Sequence, residues 1–399
     1  MTILKIDRVG SKGDGIGTFN GAAMFVAKAL PGETVELRGG KLQRIVAASP
    51  DRQAAFCKYY DTCGGCKFQH WSHAPYAEWK RQLVIDALKA QGLNAEVSPL
   101  VDAHGNGRRR VSLHVRNIDG HWVAGFMEAK SHDLVAIESC PILVAQLSHA
   151  PAIAASFGAM LGPSDVTITS ADTGLDVSIK AERQAANRHI PKFREIMQRH
   201  GILRLALNDE VVAQERVPAV VMGKANVQLP VNSFLQATAA GEDVIAQLVA
   251  NHLRKAKNIV DLFCGVGPFA FRLGENAKVH AIDSDKSAIA ALLQATRFAT
   301  GLKPITAEAK DLFKNPLVAQ ELNEFDGVVF DPPRAGAEAQ ARHIAKSKVK
   351  RVVAVACDVQ TFARDAAILV QGGYKLGNVT PVDQFKFSAH VEIVASFIR

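Results

Sequence analysis

The chain has 399 residues, with 47 Lys and Arg against 39 Asp and Glu and a formal net charge of +8. This length is too great for one ordinary hydrophobic core and predicts two or three domains, while the charge favours a polyanionic partner such as nucleic acid. No run approaches the roughly 20 apolar residues of a membrane span, and the start "MTILKIDRVG" lacks the apolar region of a secretory signal. We therefore expect a cytoplasmic protein with no membrane partner.

Residues 1–48 read as short β-strands separated by glycine turns, as in "GIGTFNG" and "ETVELRGG". This rhythm predicts a small OB-like β-barrel. The alternative is a β-rich extension without a function of its own.

Residues 49–225 have a mixed pattern, which predicts an α+β domain with a helix at "YAEWKRQLVIDALKAQG" and strands at "WVAGFMEA" and "DVSIKA". The basic run 180–204 favours a solvated helix face. The triplet Arg108-Arg109-Arg110, which heads the alternating "RRRVSLHVR", suggests a strand that faces phosphates.

From residue 226 to residue 399, apolar strand-like runs alternate with helical segments, as in "NIVDLFC", "KVHAIDS", "FDGVVFDPP" and "KRVVAVACD". Such alternation is typical of an α/β domain with a doubly wound, Rossmann-like parallel sheet. Ligands of these sheets bind beyond the carboxyl ends of the strands. The residues that follow each strand are therefore the candidates for the site.

The loop "DLFCGVGPFAF" follows the first of these strands. Gly265 and Gly267 let the backbone turn tightly against a ligand, and Asp283 ends the next strand in position to bind a ribose diol. The pattern serves NAD and S-adenosylmethionine alike, and a glycine turn without a cofactor is a third reading.

The segment Phe330-Asp331-Pro332-Pro333-Arg334 ends another strand with a carboxylate and two rigid prolines. A nucleotide-dependent dehydrogenase has no evident need for a carboxylate and two rigid prolines beside its ligand, whereas an enzyme that methylates a bulky base does. The segment therefore favours methyl transfer.

Cys357 follows the next strand, where a thiolate would lie beside a methyl donor. Cys264 lies inside the glycine loop and is expected to be structural. His390 and Glu392 precede the last strand and, two residues apart, point the same way. Thiolate addition to C6 of uracil makes C5 nucleophilic, and a base must later remove the C5 proton; Cys357 and Glu392 suit these two roles.

Three cysteines crowd the segment "CKYYDTCGGC", and a fourth lies at position 140. A disulfide is disfavoured in the reducing cytosol. Four thiolates could bind zinc or an iron–sulfur cluster, and the 3+1 spacing fits a cluster better than the two close pairs common in zinc sites.

Together, "DLFCGVG", "FDPPRAG", Cys357 followed by "TFARD", and "AHVEIV" resemble the S-adenosylmethionine-dependent RNA (uracil-5-)-methyltransferases. The cysteine segment with the later "ESCPIL" resembles the branch that methylates 23S ribosomal RNA and carries a [4Fe-4S] cluster. Residues 1–48 look like a shortened form of its N-terminal TRAM barrel.

The resemblance implies a role for each matching residue. It makes Cys357 the nucleophile and Glu392 the proton-abstracting base. The implied contacts to S-adenosylmethionine are Gln236, Phe263, Gly265, Gly267, Asp283, Asp311 and Asp331. Phe234, Arg334 and His390 would contact the uridine, and Cys57, Cys63, Cys66 and Cys140 would ligate the cluster.

The chain departs from the family pattern at several positions. Pro268 stands where the family usually has Asn, which would remove one hydrogen bond to the donor. Asp358 follows the nucleophile and would raise the thiol pKa if the two side chains approach.

The resemblance implies an RNA partner, most simply 23S ribosomal RNA bound by a monomer. A tRNA substrate is the first alternative. A non-enzymatic RNA-binding protein and a nicotinamide-dependent oxidoreductase with an electron-transfer cluster are others, although the latter leaves Cys357 unexplained.

Overall fold

The computed structural model describes residues 1–183 and 187–399. Residues 184–186, which belong to the predicted basic run, lie outside the described residues. The rest of that run includes an exposed helix face on which Lys192 and Arg199 both pair with Glu195, as expected for a solvated surface.

The N-terminal strands form two three-stranded antiparallel sheets with the orders β1-β5-β6 and β2-β3-β4. At Gly17 strand β3 crosses β1 so closely that a Cβ would come 2.1 Å from the carbonyl oxygen of Lys5. Leu4, Val26 and Val35 are buried between the sheets. These sheets confirm the predicted small N-terminal β-structure; their strands are β1 (Thr2–Lys5), β2 (Arg8–Val9), β3 (Gly15–Phe19), β4 (Ala22–Val26), β5 (Thr34–Arg38) and β6 (Lys41–Ala47).

Helix α1 (His73–Ala90) and strand β7 (Val101–Asp102) lead into a seven-stranded sheet of order β10-β9-β8-β11-β12-β13-β14. All neighbouring strands of this sheet are antiparallel except β12 and β13. Its strands are β8 (Arg110–Ile118), β9 (His121–Met127), β10 (Leu134–Ala136), β11 (Ser164–Ala171), β12 (Gly174–Ala181), β13 (Ile202–Leu207) and β14 (Glu210–Gln214). Helices α2 (Ala150–Ser156), α3 (Gly158–Leu161) and α4 (Ile190–His200) accompany it.

A hairpin of β15 (Ala219–Met222) and β16 (Ala225–Gln228) precedes an eight-stranded sheet of order β19-β18-β17-β20-β21-β23-β22-β7. The strands are β17 (Asn258–Leu262), β18 (Lys278–Asp283), β19 (Ile305–Ala309), β20 (Gly327–Phe330), β21 (Arg351–Ala356), β22 (Lys375–Asp383) and β23 (Glu392–Ile398). The helices are α5 (Ala239–Leu253), α6 (Pro268–Leu273), α7 (Lys286–Thr296), α8 (Ala319–Leu322), α9 (Glu338–Lys346) and α10 (Val359–Gln371). This sheet confirms the predicted Rossmann-like fold.

The topology of this sheet brings distant residues to one edge. Strands β17, β18, β20 and β21 are mutually parallel, so their carboxyl ends meet there. Strand β23 runs antiparallel to β21 and pairs Ile393 with Ala356. The start of the last strand, with Glu392, therefore lies beside the turn that carries Cys357.

Part of the segment 49–225 adds to the C-terminal sheet. Strand β7 pairs in parallel with β22, Val97 bridges to Val379, and helix α1 packs against α10. The division at residues 48 and 225 stays a prediction.

Among the residues that the structure describes, no helix is both long enough and apolar enough to cross a membrane.

Candidate active site

A cavity of about 920 Å³ opens at the carboxyl ends of the parallel strands. It is lined by every residue that the sequence predicted for the site except Gly267: Cys57, Cys63, Cys66, Cys140, Phe234, Gln236, Phe263, Gly265, Asp283, Asp311, Asp331, Arg334, Cys357, His390 and Glu392. Residues separated by more than 300 positions thus share one space.

The glycine loop after β17 is held by the end of β18. Gly265 and Gly267 have φ angles of 53° and 95°, and a Cβ on Gly267 would come 2.8 Å from a methyl carbon of Leu292. The N–H of Gly265 donates to Asp283 Oδ2 over 2.9 Å. Each carboxylate oxygen can accept more than one hydrogen bond, so Asp283 keeps acceptor capacity for a ribose.

Pro268 is the first residue of helix α6, which follows Gly267 directly. A proline at this position costs the helix no hydrogen bond, because the first N–H groups of a helix have no partner within it. The departure from the family pattern therefore suits the helix, although proline supplies no side-chain donor.

Phe263 occupies the left-handed region with a φ angle of 62°, which is uncommon for a bulky residue. Its ring lies 5.4 Å from that of Phe313. Asp311 accepts backbone hydrogen bonds from Phe313 and Lys314, and these bonds lower the pKa of its carboxyl. The two rings and this carboxylate form one side of the cavity.

Cys357 lies in the turn between β21 and α10, half-buried in the cavity wall. Burial and the nearby carboxyl groups of Glu392 and Asp331 raise the pKa of its thiol to about 11, while the Arg334 cation opposes this rise. A thiolate at neutral pH therefore depends on positive charge nearby and on the protonation state of the two carboxyl groups.

Glu392 is buried and receives a hydrogen bond from the Gln384 amide, whose Nε2 lies 2.7 Å from Glu392 Oε2. The same Nε2 lies 2.6 Å from Gln236 Oε1, and Gln236 Nε2 lies 3.1 Å from Asp331 Oδ2. Burial raises the pKa of both carboxyl groups, and Asp331 raises that of Glu392 further.

Arg334, His390 and Phe234 lie toward the opening. Arg334 Nη2 lies 3.3 Å from His390 Nε2, and removal of the ring from water together with this cation lowers the pKa of His390. The side chain of Phe234 is 69 % exposed although it lines the cavity, so its ring is free to stack on a base.

The four predicted ligand cysteines are free thiols at one end of the same cavity. Burial raises the pKa of Cys63, Cys66 and Cys140, that of Cys66 to about 11, and charge on neighbouring thiols adds to each rise. Within residues 1–183 and 187–399, no three His, Cys, Asp or Glu side chains are arranged to hold a metal ion. The donor chemistry, four soft thiols facing one space, nevertheless fits a thiolate-bound cluster.

A family model described as tRNA (Uracil-5-)-methyltransferase matches residues 183–398, more than half of the chain. The chain belongs to this family. It is therefore an S-adenosylmethionine-dependent RNA (uracil-5-)-methyltransferase, as the motifs predicted.

Full-length relatives agree with this assignment. An uncharacterized RNA methyltransferase of Brucella suis is 40 % identical over 98 % of this chain and 96 % of its own. One of Rhizobium meliloti is 42 % identical over 98 % of both chains. The 23S rRNA (uracil(1939)-C(5))-methyltransferase RlmD of Erwinia tasmaniensis is 30 % identical over 99 % of this chain and 96 % of its own.

Among solved structures, the Pyrococcus abyssi tRNA (uracil-54, C5)-methyltransferase in complex with S-adenosyl-L-homocysteine matches with a TM-score of 0.76. The match covers all of both chains at 19 % identity, so it supports the fold of this RNA (uracil-5-)-methyltransferase.

One expectation about an individual residue is wrong, and the structure gives a second residue a role that was not expected. Arg109 is buried rather than facing phosphates, because its guanidinium pairs with Glu242 over 2.5 Å and donates to the carbonyl of Gln236. Asp358 caps helix α10 by accepting from the N–H groups of Gln360 and Thr361, and it is not among the groups that raise the pKa of Cys357. In the methyltransferase, the start of strand β8 at Arg110 therefore supports the segment that carries Gln236.

Sequence reasoning also missed the residues that hold the segment before Glu392. Lys80 of α1 is buried, donates to Asp383 Oδ1 over 2.6 Å and to the carbonyl of His390 over 2.6 Å. Tyr76 donates its hydroxyl to Asp383 Oδ2 over 2.9 Å. A lysine on the apolar face of a predicted helix was the available signal, since such a residue is rarely buried unless paired.

Proposed function

We propose that the protein methylates C5 of a uridine in 23S ribosomal RNA through a covalent adduct between Cys357 and the base. The observation that carries the mechanism is that Cys357 and Glu392 line the same cavity as the glycine loop and Asp283. A nucleophile, a base and a binding place for the methyl donor therefore face one another.

In the first step the Cys357 thiolate adds to C6 of the flipped uracil, and the electron pair of the C5–C6 double bond moves toward C5 and the O4 carbonyl. S-adenosylmethionine, when bound, would supply its methyl group to the electron-rich C5, and its sulfur would keep the electron pair of the broken S–CH₃ bond. Arg334 lowers the pKa of the thiol and so favours the thiolate that this addition needs.

In the second half Glu392 takes the proton from C5 after that carbon has gained the methyl group. The electron pair of the C5–H bond re-forms the C5–C6 double bond, and the C6–S bond breaks to return the Cys357 thiolate. The raised pKa of Glu392 suits a base that must accept a proton near neutral pH.

The remaining cavity residues divide by position. Phe263, Gly265, Asp283 and Asp311 would hold the methyl donor, with Asp331 and Gln236 between the donor and Glu392. Gly267 would serve the turn of the loop rather than contact the donor. Phe234, Arg334 and His390 would contact the uridine and its neighbours. Pockets for flipped bases commonly combine stacking with hydrogen bonds to the base edge.

We further propose that Cys57, Cys63, Cys66 and Cys140 hold a [4Fe-4S] cluster rather than zinc. A cluster would join the segment 57–66 to residue 140 and contribute stability rather than electrons, since methyl transfer needs no redox step. The segments already meet without it, because Lys58 pairs with Glu138 and the hydroxyl of Tyr59 accepts from the N–H of Glu138.

Ribosomal RNA is favoured over tRNA because the Erwinia tasmaniensis relative, similar along its whole length, is named for 23S rRNA. This substrate implies a cytoplasmic enzyme. One chain supplies all of the proposed site residues, so a monomer suffices.

The test uses anaerobically purified protein, methyl-labelled S-adenosylmethionine and unmodified 23S ribosomal RNA and tRNA transcripts. We expect 5-methyluridine in the 23S transcript and none with Cys357→Ala. A second arm uses transcripts that contain 5-fluorouridine, whose C5 fluorine cannot leave as a proton, so the RNA should stay bound to Cys357 on a denaturing gel.

The outcomes separate the parts of the proposal. Label in tRNA alone would overturn the ribosomal target and leave the mechanism standing. Label retained by Cys357→Ala, or no covalent complex with fluorinated substrate, would overturn the mechanism.

A further inference from the structure

The segment between β22 and β23 carries a buried glutamine, Gln384, that no motif singled out. Its side chain is 0 % exposed and lies between the Gln236 segment and Glu392. Gly241 leaves room for it, since a Cβ there would come 2.8 Å from the Cβ of Gln384. The packing thus accommodates this side chain closely.

The hydrogen bonds of Gln384 fix the orientation of its amide. Its Oε1 accepts from the backbone N–H of Ala237 over 2.9 Å, and a backbone N–H can only donate. The NH₂ group must therefore face Gln236 Oε1 and Glu392 Oε2, which uses both of its hydrogens.

This orientation has a consequence at Glu392. Its Oε2 accepts the hydrogen bond from the amide and is held toward Gln384, so Oε1 keeps more capacity to take a proton. Gln236, whose Oε1 accepts from Gln384, must in turn present its NH₂ group to Asp331. One amide therefore sets the geometry of both the base and its neighbouring carboxyl group.

We propose that Gln384 is a positioning residue for proton abstraction, which holds Glu392 so that Oε1 faces the C5 hydrogen of the methylated adduct. The inference rests on the proposed role of Glu392 as the base. Gln384 contacts the base and not the reacting atoms, so its main effect falls on the step after the methyl group has been transferred.

The hydrogen bond from Gln384 also lowers the pKa of Glu392 against the opposing effects of burial and Asp331. Loss of this bond should raise that pKa, so the pH at which the base becomes competent should move upward. A residue that served only to fill space would not move this profile.

The test compares Gln384→Met with Gln340→Met in the full chain. Gln340 is a matched control, because it is also buried and bonded, to the backbone of Leu317 over 2.9 and 3.0 Å, but it does not line the cavity. Gln384→Leu is a second apolar variant, which also removes the donors to Gln236 and Glu392.

The readout is the methylated protein–RNA adduct, formed on whichever ordinary transcript the wild type methylates and quenched at intervals on a denaturing gel. We expect both Gln384 variants to resolve it roughly 10- to 100-fold more slowly than Gln340→Met, a fraction of the effect of a general base, and to show a smaller change in the rate at which it forms. The resolution rate should also reach its plateau at higher pH.

Equal resolution rates and pH profiles for Gln384→Met and Gln340→Met would overturn the inference. A parallel Glu392→Gln arm keeps the two proposals apart. If Glu392→Gln accumulates adduct but Gln384→Met does not, only the positioning role fails; if Glu392→Gln resolves adduct normally, Glu392 is not the base and both fail.

Discussion

The carboxyl groups of Asp331 and Glu392 are the two ends of one hydrogen-bonded chain, and the side-chain amides of Gln236 and Gln384 are its middle links. Because Asp331 raises the pKa of Glu392, the two groups titrate as a pair. When either carboxyl group of the pair is protonated, it no longer carries a negative charge, and the nearby Cys357 thiol ionises more easily. The protonation of Glu392 and the ionisation of Cys357 are thus linked in the protein without RNA.

Substitution of Arg334 should slow adduct formation. The cation lowers the pKa of the Cys357 thiol, so Arg334→Met raises that pKa and leaves less thiolate at pH 7.5. Each unit of change reduces the thiolate fraction about tenfold below the pKa. The rate of adduct formation on 5-fluorouridine RNA, measured against pH at saturating RNA, should shift to higher pH. Arg342→Met, which removes an exposed arginine paired with Glu338, is the control and should leave the profile in place.

Asp358→Ala should destabilise the protein without activating the nucleophile. Loss of the helix cap on α10 should lower the free energy of unfolding by about 1 kcal/mol. The pH profile of adduct formation should match the wild type, because other groups set the pKa of Cys357. A profile displaced to lower pH would restore Asp358 as a neighbour of the thiol.

Arg109→Met should act through stability and not through RNA affinity. The change removes one of the two cations that pair with the buried Glu242 and leaves Arg272 Nη1 3.5 Å from it, so the loss should be smaller than the cost of about 3–5 kcal/mol for a fully unpaired buried charge. Urea unfolding measures this loss, and the double variant Arg109→Met/Glu242→Leu should recover much of it. The salt dependence of RNA binding by the folded protein should keep the wild-type slope. A shallower slope would identify Arg109 as a phosphate contact.

His70 should make the fold sensitive to acid. Burial lowers the pKa of its imidazole to about 4, against an unfolded value of about 6.5. The unfolded chain therefore binds more protons between these values, and stability falls as pH drops from 6.5 toward 4. Between pH 7.5 and pH 5 the loss from His70 should be about 2 kcal/mol. Unfolding of His70→Gln at the two pH values should show a correspondingly smaller loss, and an equal loss would contradict the prediction.

Cys63→Ser should reduce bound iron and stability if the four thiols hold a cluster. Iron and sulfide analysis of anaerobically purified protein, with its absorption spectrum, measures the first effect. Cys264→Ala is the control, because this thiol is buried in the core around the glycine loop. Stoichiometric zinc without iron in the wild type, or full iron retained by Cys63→Ser, would contradict the cluster.

The glycine loop and the Cys357 turn could be predicted because each follows a strand, and parallel strands bring their carboxyl ends together. Glu392 begins a strand that runs antiparallel to β21, so its short motif rather than this rule singled it out. The N-terminal strands could also be predicted from local sequence, because glycine turns separate them. Asp358 carried a readable signal as well, since an aspartate just before a helical pattern is a common cap.

Other residues depend on contacts that no local pattern contains. Arg109 looked like a surface cation because its partner Glu242 is 133 residues away. The role of Gln384 depends on its hydrogen bonds to three neighbours, and two of these lie on a segment nearly 150 residues earlier. A buried pairing of this kind is decided by tertiary packing rather than by the flanking sequence.

The anchoring of the segment 383–391 by Lys80 and Tyr76 has a consequence for the order in which the enzyme becomes active. The anchors leave the ribosome early, whereas the segment that they secure is among the last to be synthesised. The chain can therefore secure this segment, and with it Glu392, only when its synthesis is almost complete. A fragment of residues 226–399 would lack both anchors, so we expect its segment 383–391 to be held less firmly than in the full chain.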